Sequence, residues 1–164
     1  MEENSLEKIF REYSKKLFFY ALNLTKNQAD AEDLVSNAFL KAFVILEDAD
    51  ENIYAWLVKV VRHMWIDELR KRKHQIDEGS FHVEWIEDPK DIMKEMIHNE
   101  KVAWMYEQIF CLPIVEREIL LLSLTMDVRD QDIADLLKLS VENVRVIRHR
   151  AKNKLIKKAS AFEK

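Results

Sequence analysis

The stretch DQDIADLLKLSVENVRVIRHRAKNKLIKK, Asp130 to Lys158, decides the fold. From Asp130 to His149 its spacing fits a helix-turn-helix. Ile133 and Leu137 pack the first helix, and Ala134 is small where two helices approach. Leu139 plugs the turn, Ser140 caps the second helix, and Val144 and Ile147 face inward. On a helical wheel Ala151 and Leu155 continue that inward side. Lys138 stands where such turns often carry Gly, and a left-handed residue other than Gly costs on the order of 1 kcal/mol there.

The opposite side of the second helix presents Glu142, Arg145, Val146, His149 and Asn153, flanked by Arg148, Arg150 and Lys152. Val141 to Lys158 holds seven Lys or Arg and one acid, in a chain whose formal charge is −4. An ordinary basic surface helix is the plainer reading. Seven like charges with one acid stabilise a surface helix poorly, because cations at i,i+4 repel. A major groove suits them better. Arg forks onto guanine, Glu accepts from cytosine, Val meets the thymine methyl, and the flanking bases suit phosphates. Spacing and charge together therefore favour DNA.

Working outward, the 164 residues are enough for one ordinary domain or two small ones. A composition of 48% apolar and 34% charged residues, with one Gly and two Pro, points to an all-α globular protein. The single Cys111 excludes an internal disulfide and a Cys-based zinc site, and its apolar setting, IFCLP, predicts a buried thiol. The start, MEENSLEK, has no apolar signal core, and the run ILLLSLTM falls far short of the roughly 20 residues that a membrane span requires. The expectation is a cytoplasmic protein with no membrane insertion.

Three apolar stripes mark the first half: Leu6 to Leu24, Leu34 to Leu46, and Ile53 to Met64. Breaks fall at TKNQAD and EDADEN. Gln75 to Pro89 contains the only Gly and five acids without a Lys or Arg, and reads as a linker. Beyond it the pattern predicts helices over Asp91 to Phe110, Val115 to Thr125 and Asp130 to Lys138, before the last one. The organisation is two small helical domains, 1–74 and 91–164, joined by an acidic linker over 75–90, the second containing the helix-turn-helix. Charge follows this partition, since Lys59 to Lys73 holds six Lys or Arg against two acids. Lys59, Arg62, His63, Ile66 and Arg70 share one wheel sector, with Tyr54, Trp56 and Trp65 nearby. A cationic face beside aromatic rings is what single-strand binders use, although a Trp alone is more often core.

DAEDLVSNAFLKAF, AWLVKVVRHMWIDELRKRK, LPIVEREILLL and DIADLLKLSVENVRVIRHRAKNKL together resemble the extracytoplasmic-function group of bacterial RNA polymerase sigma factors, from about Ile9 to Leu155. The resemblance implies that Asp33, Ser36, Asn37 and Leu40 dock on the clamp helices of the polymerase's largest subunit. Ser36-Asn37 stands where that family usually has Gln-Glu. It implies that the loop Glu47 to Asn52 and the helix Ile53 to Lys73 open and read the minus-ten element, through Asn52, Trp56, Lys59, Arg62, His63, Ile66, Arg70, Lys71 and Arg72. His63 replaces a common Asn and Trp65 a common Ala. It implies a minus-thirty-five reader made of Ser140, Glu142, Asn143, Arg145, Val146, Arg148, His149, Arg150 and Lys152, with helices around Ile119 to Leu124 facing the polymerase flap. The implied partners are core RNA polymerase, promoter DNA and an anti-sigma factor. No cofactor and no metal is implied.

Two competing readings stand beside this one. A helix-turn-helix repressor or activator with a helical sensor domain would not need the second basic face, and would footprint DNA without polymerase. An enzyme could be built on His63 and Asp67 at i,i+4 with Asp30, Glu32 and Asp33, but no His-Glu-x-x-His pair occurs and helix starts are acid-rich by nature. For DNA binding through about five phosphates, log affinity should fall with log salt at a slope of about −4 to −5.

Overall fold

The computed structural model describes residues 5–45, 53–77 and 89–162. They are helical almost throughout, with no strand among them. The chain divides into two compact units, Met1–Glu87 and Asp88–Lys164.

The first unit contains α1 (Ser5–Thr25), α2 (Gln28–Ile45) and α3 (Ile53–Asp77), each packed on the other two. Most of the expected stripes form its core: Ile9, Tyr13, Leu17 and Ala21 of α1, Leu34, Val35, Ala38, Phe39 and Ala42 of α2, and Ile53, Leu57 and Val61 of α3 are buried, whereas Phe10 is exposed and Val60 and Met64 are half-buried. Burial in α1 extends past the stripe to Phe18, Phe19, Tyr20 and Leu22. Ala31, Ala38 and Ala42, all fully buried, let α2 lie close to its neighbours. Fully buried Leu17 and Leu57 each stabilise by about 1.5–3 kcal/mol. Phe10 meets Phe39 edge-to-face, with centroids 4.9 Å apart.

A two-residue joint separates α1 from α2. Lys26 takes a left-handed φ of 53° and its N–H still donates to the Leu22 carbonyl at 2.8 Å. Asn27 then caps α2, its Oδ1 accepting from the Asp30 N–H at 2.9 Å.

The second unit contains α4 (Pro89–Met96), α5 (Glu100–Phe110), α6 (Ile114–Leu120), a π-helical turn (Leu121–Thr125), α7 (Asp130–Leu137) and α8 (Val141–Phe162). α4 packs on α5, and α8 packs against α5, α6 and α7. Ile109, Ile119 to Leu122, Met126, Ile133, Val144 and Ala151 are buried at its centre.

Three expectations are corrected here. The single helix over Asp91 to Phe110 is two helices, because extended Asn99 caps α5 with its side chain, accepting from the N–H groups of Lys101 at 3.0 Å and Val102 at 3.2 Å. The helix expected over Val115 to Thr125 widens into the π turn after Leu120. There the Ser123 hydroxyl donates to the Ile119 carbonyl at 2.6 Å and the Met126 N–H donates to the Leu121 carbonyl at 3.2 Å. Cys111 is exposed rather than buried, since it ends α5 between Ile109 and Leu112, which take the inward positions. The Glu47 to Asn52 loop, Leu46, and residues 78–88 of the linker lie outside the described residues.

Candidate nucleic-acid interface

α7 ends at Lys138, which adopts φ 58°, ψ 46°. This left-handed turn lets the N–H groups of both Lys138 and Leu139 reach the Ala134 carbonyl, the latter at 2.9 Å. Ser140 follows as the cap of α8, its Oγ accepting from the Asn143 N–H at 3.1 Å. Buried Val144 and Ala151 and half-buried Ile147 and Leu155 then face inward. Glu142, Asn143, Arg145, Val146, His149 and Arg150 are exposed on the other side, while Arg148 and Lys152 are half-buried.

The structure adds acids to this basic face. Asp130, the first residue of α7, reaches α8: Arg145 Nε donates to its Oδ2 at 3.2 Å and Arg148 Nη2 to the same oxygen at 3.1 Å. Arg148 Nη1 donates to Oδ1. These donors, Arg148 foremost, hold the Asp130 carboxyl below its ordinary value, and the Asp130 carboxylate in turn holds the Arg148 guanidinium above its own. Lys154 Nζ lies 2.9 Å from both oxygens of Glu116 on α6. His149 and Asn153 pair at 3.3 Å along the helix.

On α3, Lys59, His63, Arg70 and Lys71 are exposed, while Trp56, Arg62 and Ile66 are half-buried. Arg72 folds back instead. Its Nη2 lies 3.0 Å from both Asp30 oxygens on α2, its Nε donates to Glu68 at 3.3 Å, and its guanidinium sits 5.1 Å from the ring centroid of buried Trp65. Its side chain is 22% exposed. That geometry makes Arg72 a strut between α2 and α3. Tyr54 stacks on Tyr13 with centroids 3.6 Å apart, and burial, aided by Glu12, pushes its phenol pKa up. Asn52 lies outside the described residues.

Asp33, Ser36, Asn37 and Leu40 share the exposed face of α2. Asp33 and Asn37 line a cleft of about 410 Å³ between α2 and α3, whose walls also carry Asp30, Asp67, Glu68 and Lys71. Leu40 (61% exposed) and Val44 (84%) extend the face into an apolar end with Phe43 and Ile45. In the second unit, the segment Ile119 to Leu124, around which the resemblance implies flap-facing helices, has a buried and an exposed part. Ile119 to Leu122 are fully buried, and Leu124 with Ile114 and Val115 supplies the exposed apolar side chains.

The carboxylates Asp30, Asp130 and Glu116 were not singled out as partners of these bases in the sequence. The available signal was only that each lies near the start of a helix, where acids are common. Among the described residues, no group of three or more His, Cys, Asp or Glu side chains is placed to hold a metal ion, and no helix is long and apolar enough to cross a membrane.

A family model for Sigma-70 region 2 matches residues 9–75. The chain is 25% identical over 157 residues to the ECF RNA polymerase sigma factor SigM of Bacillus subtilis, covering 92% of this chain and 93% of that protein. It is 24% identical over 156 residues to SigW of the same organism, covering 88% and 83%. Its fold is similar to that of the sigma factor RpoE from Bartonella quintana, solved in complex with the anti-sigma factor NepR. That match has a TM-score of 0.61 and 19% identity, over 91% of this chain and 92% of that one.

Proposed function

We propose that the chain belongs to the extracytoplasmic-function group of RNA polymerase sigma factors, and that its parts divide the work accordingly. It is an alternative sigma factor, which binds core RNA polymerase and directs promoter-specific transcription initiation. The part of the first unit expected over 1–74 docks on polymerase and handles the minus-ten element, and the part of the second expected over 91–164 reads the minus-thirty-five element. The acidic stretch expected to join them over 75–90 overlaps the end of α3 at Asp77 and the start of α4 at Pro89.

Docking uses the α2 face of Asp33, Ser36, Asn37 and Leu40, whose polar start and apolar end suit a mixed protein surface. Melting requires an unpaired strand to be held, and extruding a base costs a few kcal/mol unless contacts compensate. Lys59, Arg70 and Lys71 supply an exposed cationic track along α3 for that strand, with His63 exposed beside it. α8 enters the major groove with Glu142, Arg145 and Val146 towards base edges, while Arg150 meets a phosphate. A cytoplasmic location, no catalysis of its own, and regulation by an anti-sigma protein complete the proposal. The last part draws on the Bartonella quintana RpoE complex.

One observation carries the upstream assignment: α8 is seated by Val144 and Ala151 while its other side stands exposed and basic. Run-off transcription with purified core polymerase on fragmented genomic DNA tests the whole. Start sites sharing one upstream and one downstream element are expected. Arg145→Ala should weaken them according to upstream sequence. Absence of any specific start with this chain, where core enzyme and a known sigma factor succeed, would overturn it.

A further inference from the structure

The geometry points to Asp130 as a positioning residue that sets upstream specificity by dividing two arginines of α8 between different tasks. The inference rests on the reading of α8 as the upstream reader.

A guanidinium carries five N–H donors in a rigid plane, so the position of one edge decides where the others aim. Asp130 takes only Nε of Arg145, at 3.2 Å, and that side chain stays 66% exposed. The two terminal nitrogens are left as a fork, the part that suits the O6 and N7 acceptors of guanine. Arg148, one turn further along α8, is treated differently. Both of its terminal nitrogens bind the Asp130 carboxylate, and its side chain is only 21% exposed. Bidentate pairing of this kind is among the stronger side-chain interactions. One carboxylate therefore holds one arginine in a single orientation and withdraws the other from the phosphates.

Asp130 itself is 25% exposed and sits at the start of α7, the helix that packs across α8. It is thus placed by the fold rather than by the DNA. An arginine oriented before binding loses less rotamer freedom when it docks, and it rejects a wrong base because it cannot swing to another acceptor. Removing one positive charge from the backbone-binding set lowers affinity for every sequence alike and leaves the ratio of specific to non-specific binding to the oriented Arg145.

The test uses holoenzyme assembled from core polymerase and the full chain. It compares Asp130→Asn, Asp130→Glu and Arg145→Ala on promoters carrying each base at each upstream position. Asp130→Asn keeps the shape and removes the charge. It should reduce discrimination at the base pair read by Arg145 about tenfold. Affinity for random duplex should rise, and the log–log salt slope should steepen by about 1 as Arg148 is released. Asp130→Glu, which keeps the carboxylate, should recover part of the discrimination.

A purely structural Asp130 would instead lower initiation equally on all upstream variants, with a drop in unfolding midpoint and no change in slope. That outcome overturns the proposal. If Arg145→Ala abolishes discrimination while Asp130→Asn leaves it intact, Asp130 alone loses its role. If Arg145→Ala also leaves it intact, the α8 reader falls, and this inference with it.

Discussion

Lys138 shows how a single backbone angle places a whole helix. Its φ of 58° turns the chain between α7 and α8 without a Gly. Lys26 and Asp127, at φ 53° and 55°, take left-handed conformations as well. Left-handed geometry costs a side-chain-bearing residue about 1–2 kcal/mol, whereas introducing Gly costs about 0.4–1 kcal/mol through the freer unfolded chain. The first effect wins. Lys138→Gly should therefore stabilise the protein by about 0.5–1 kcal/mol, read as a higher urea midpoint, with the α7–α8 angle unchanged. A lower midpoint would mean that the lysine side chain contributes something the backbone argument omits. The turn position was legible in the sequence, because apolar periodicity stops at Leu137 and resumes at Val141.

At the scale of the element, α3 separates a structural cation from a solvent-facing one two residues away. Arg72 pairs with Asp30 and Glu68 and lies over Trp65, whereas Arg70 is 78% exposed and meets Asp67 only at 3.7 Å. An ion pair as exposed as the latter contributes little to stability. A half-enclosed guanidinium held by Asp30 through Nη2 and by Glu68 through Nε contributes more, and losing one partner strands the other charge. Arg72→Ala should destabilise the chain by about 2 kcal/mol, and Arg72→Lys should not fully rescue it, since lysine lacks the planar fork. Arg70→Ala should leave the unfolding midpoint within about 0.5 kcal/mol of the parent yet weaken open-complex formation. Chemical denaturation beside run-off transcription separates the two. If Arg72→Ala matched Arg70→Ala in both measurements, the strut between α2 and α3 would be disproved. The two residues are indistinguishable in LRKRK, so the sequence placed both on DNA.

Across the molecule, a formal charge of −4 coexists with two basic faces, because acids pair with some of the bases and gather elsewhere. Seven Lys or Arg lie between Val141 and Lys158. Three of them, Arg145, Arg148 and Lys154, already face Asp130 or Glu116. A cation held by a carboxylate must give up that partner to reach a phosphate, so it releases fewer counterions from DNA. Arg150→Ala in the holoenzyme should therefore lower the salt slope of promoter binding by about 1. Lys154→Ala should lower it by clearly less. Equal losses would show that the Glu116 pairing dissolves on binding and that Lys154 then meets a phosphate as Arg150 does.

Helical class, the stripes of α1 to α3, the joint before α2 and the seating of α8 were determined by the sequence itself. Each depends on residues three or four apart on one helix, and that spacing is written directly in the chain. Only the tertiary structure decided which bases remain available. Asp30 lies 42 residues from Arg72, Asp130 lies 18 from Arg148, and Glu116 lies 38 from Lys154. Such pairs depend on how helices pack side by side, and packing is set by the summed shape of many apolar side chains, which no local period records. The same cause turned Cys111 outward and enclosed Ile119 to Leu122.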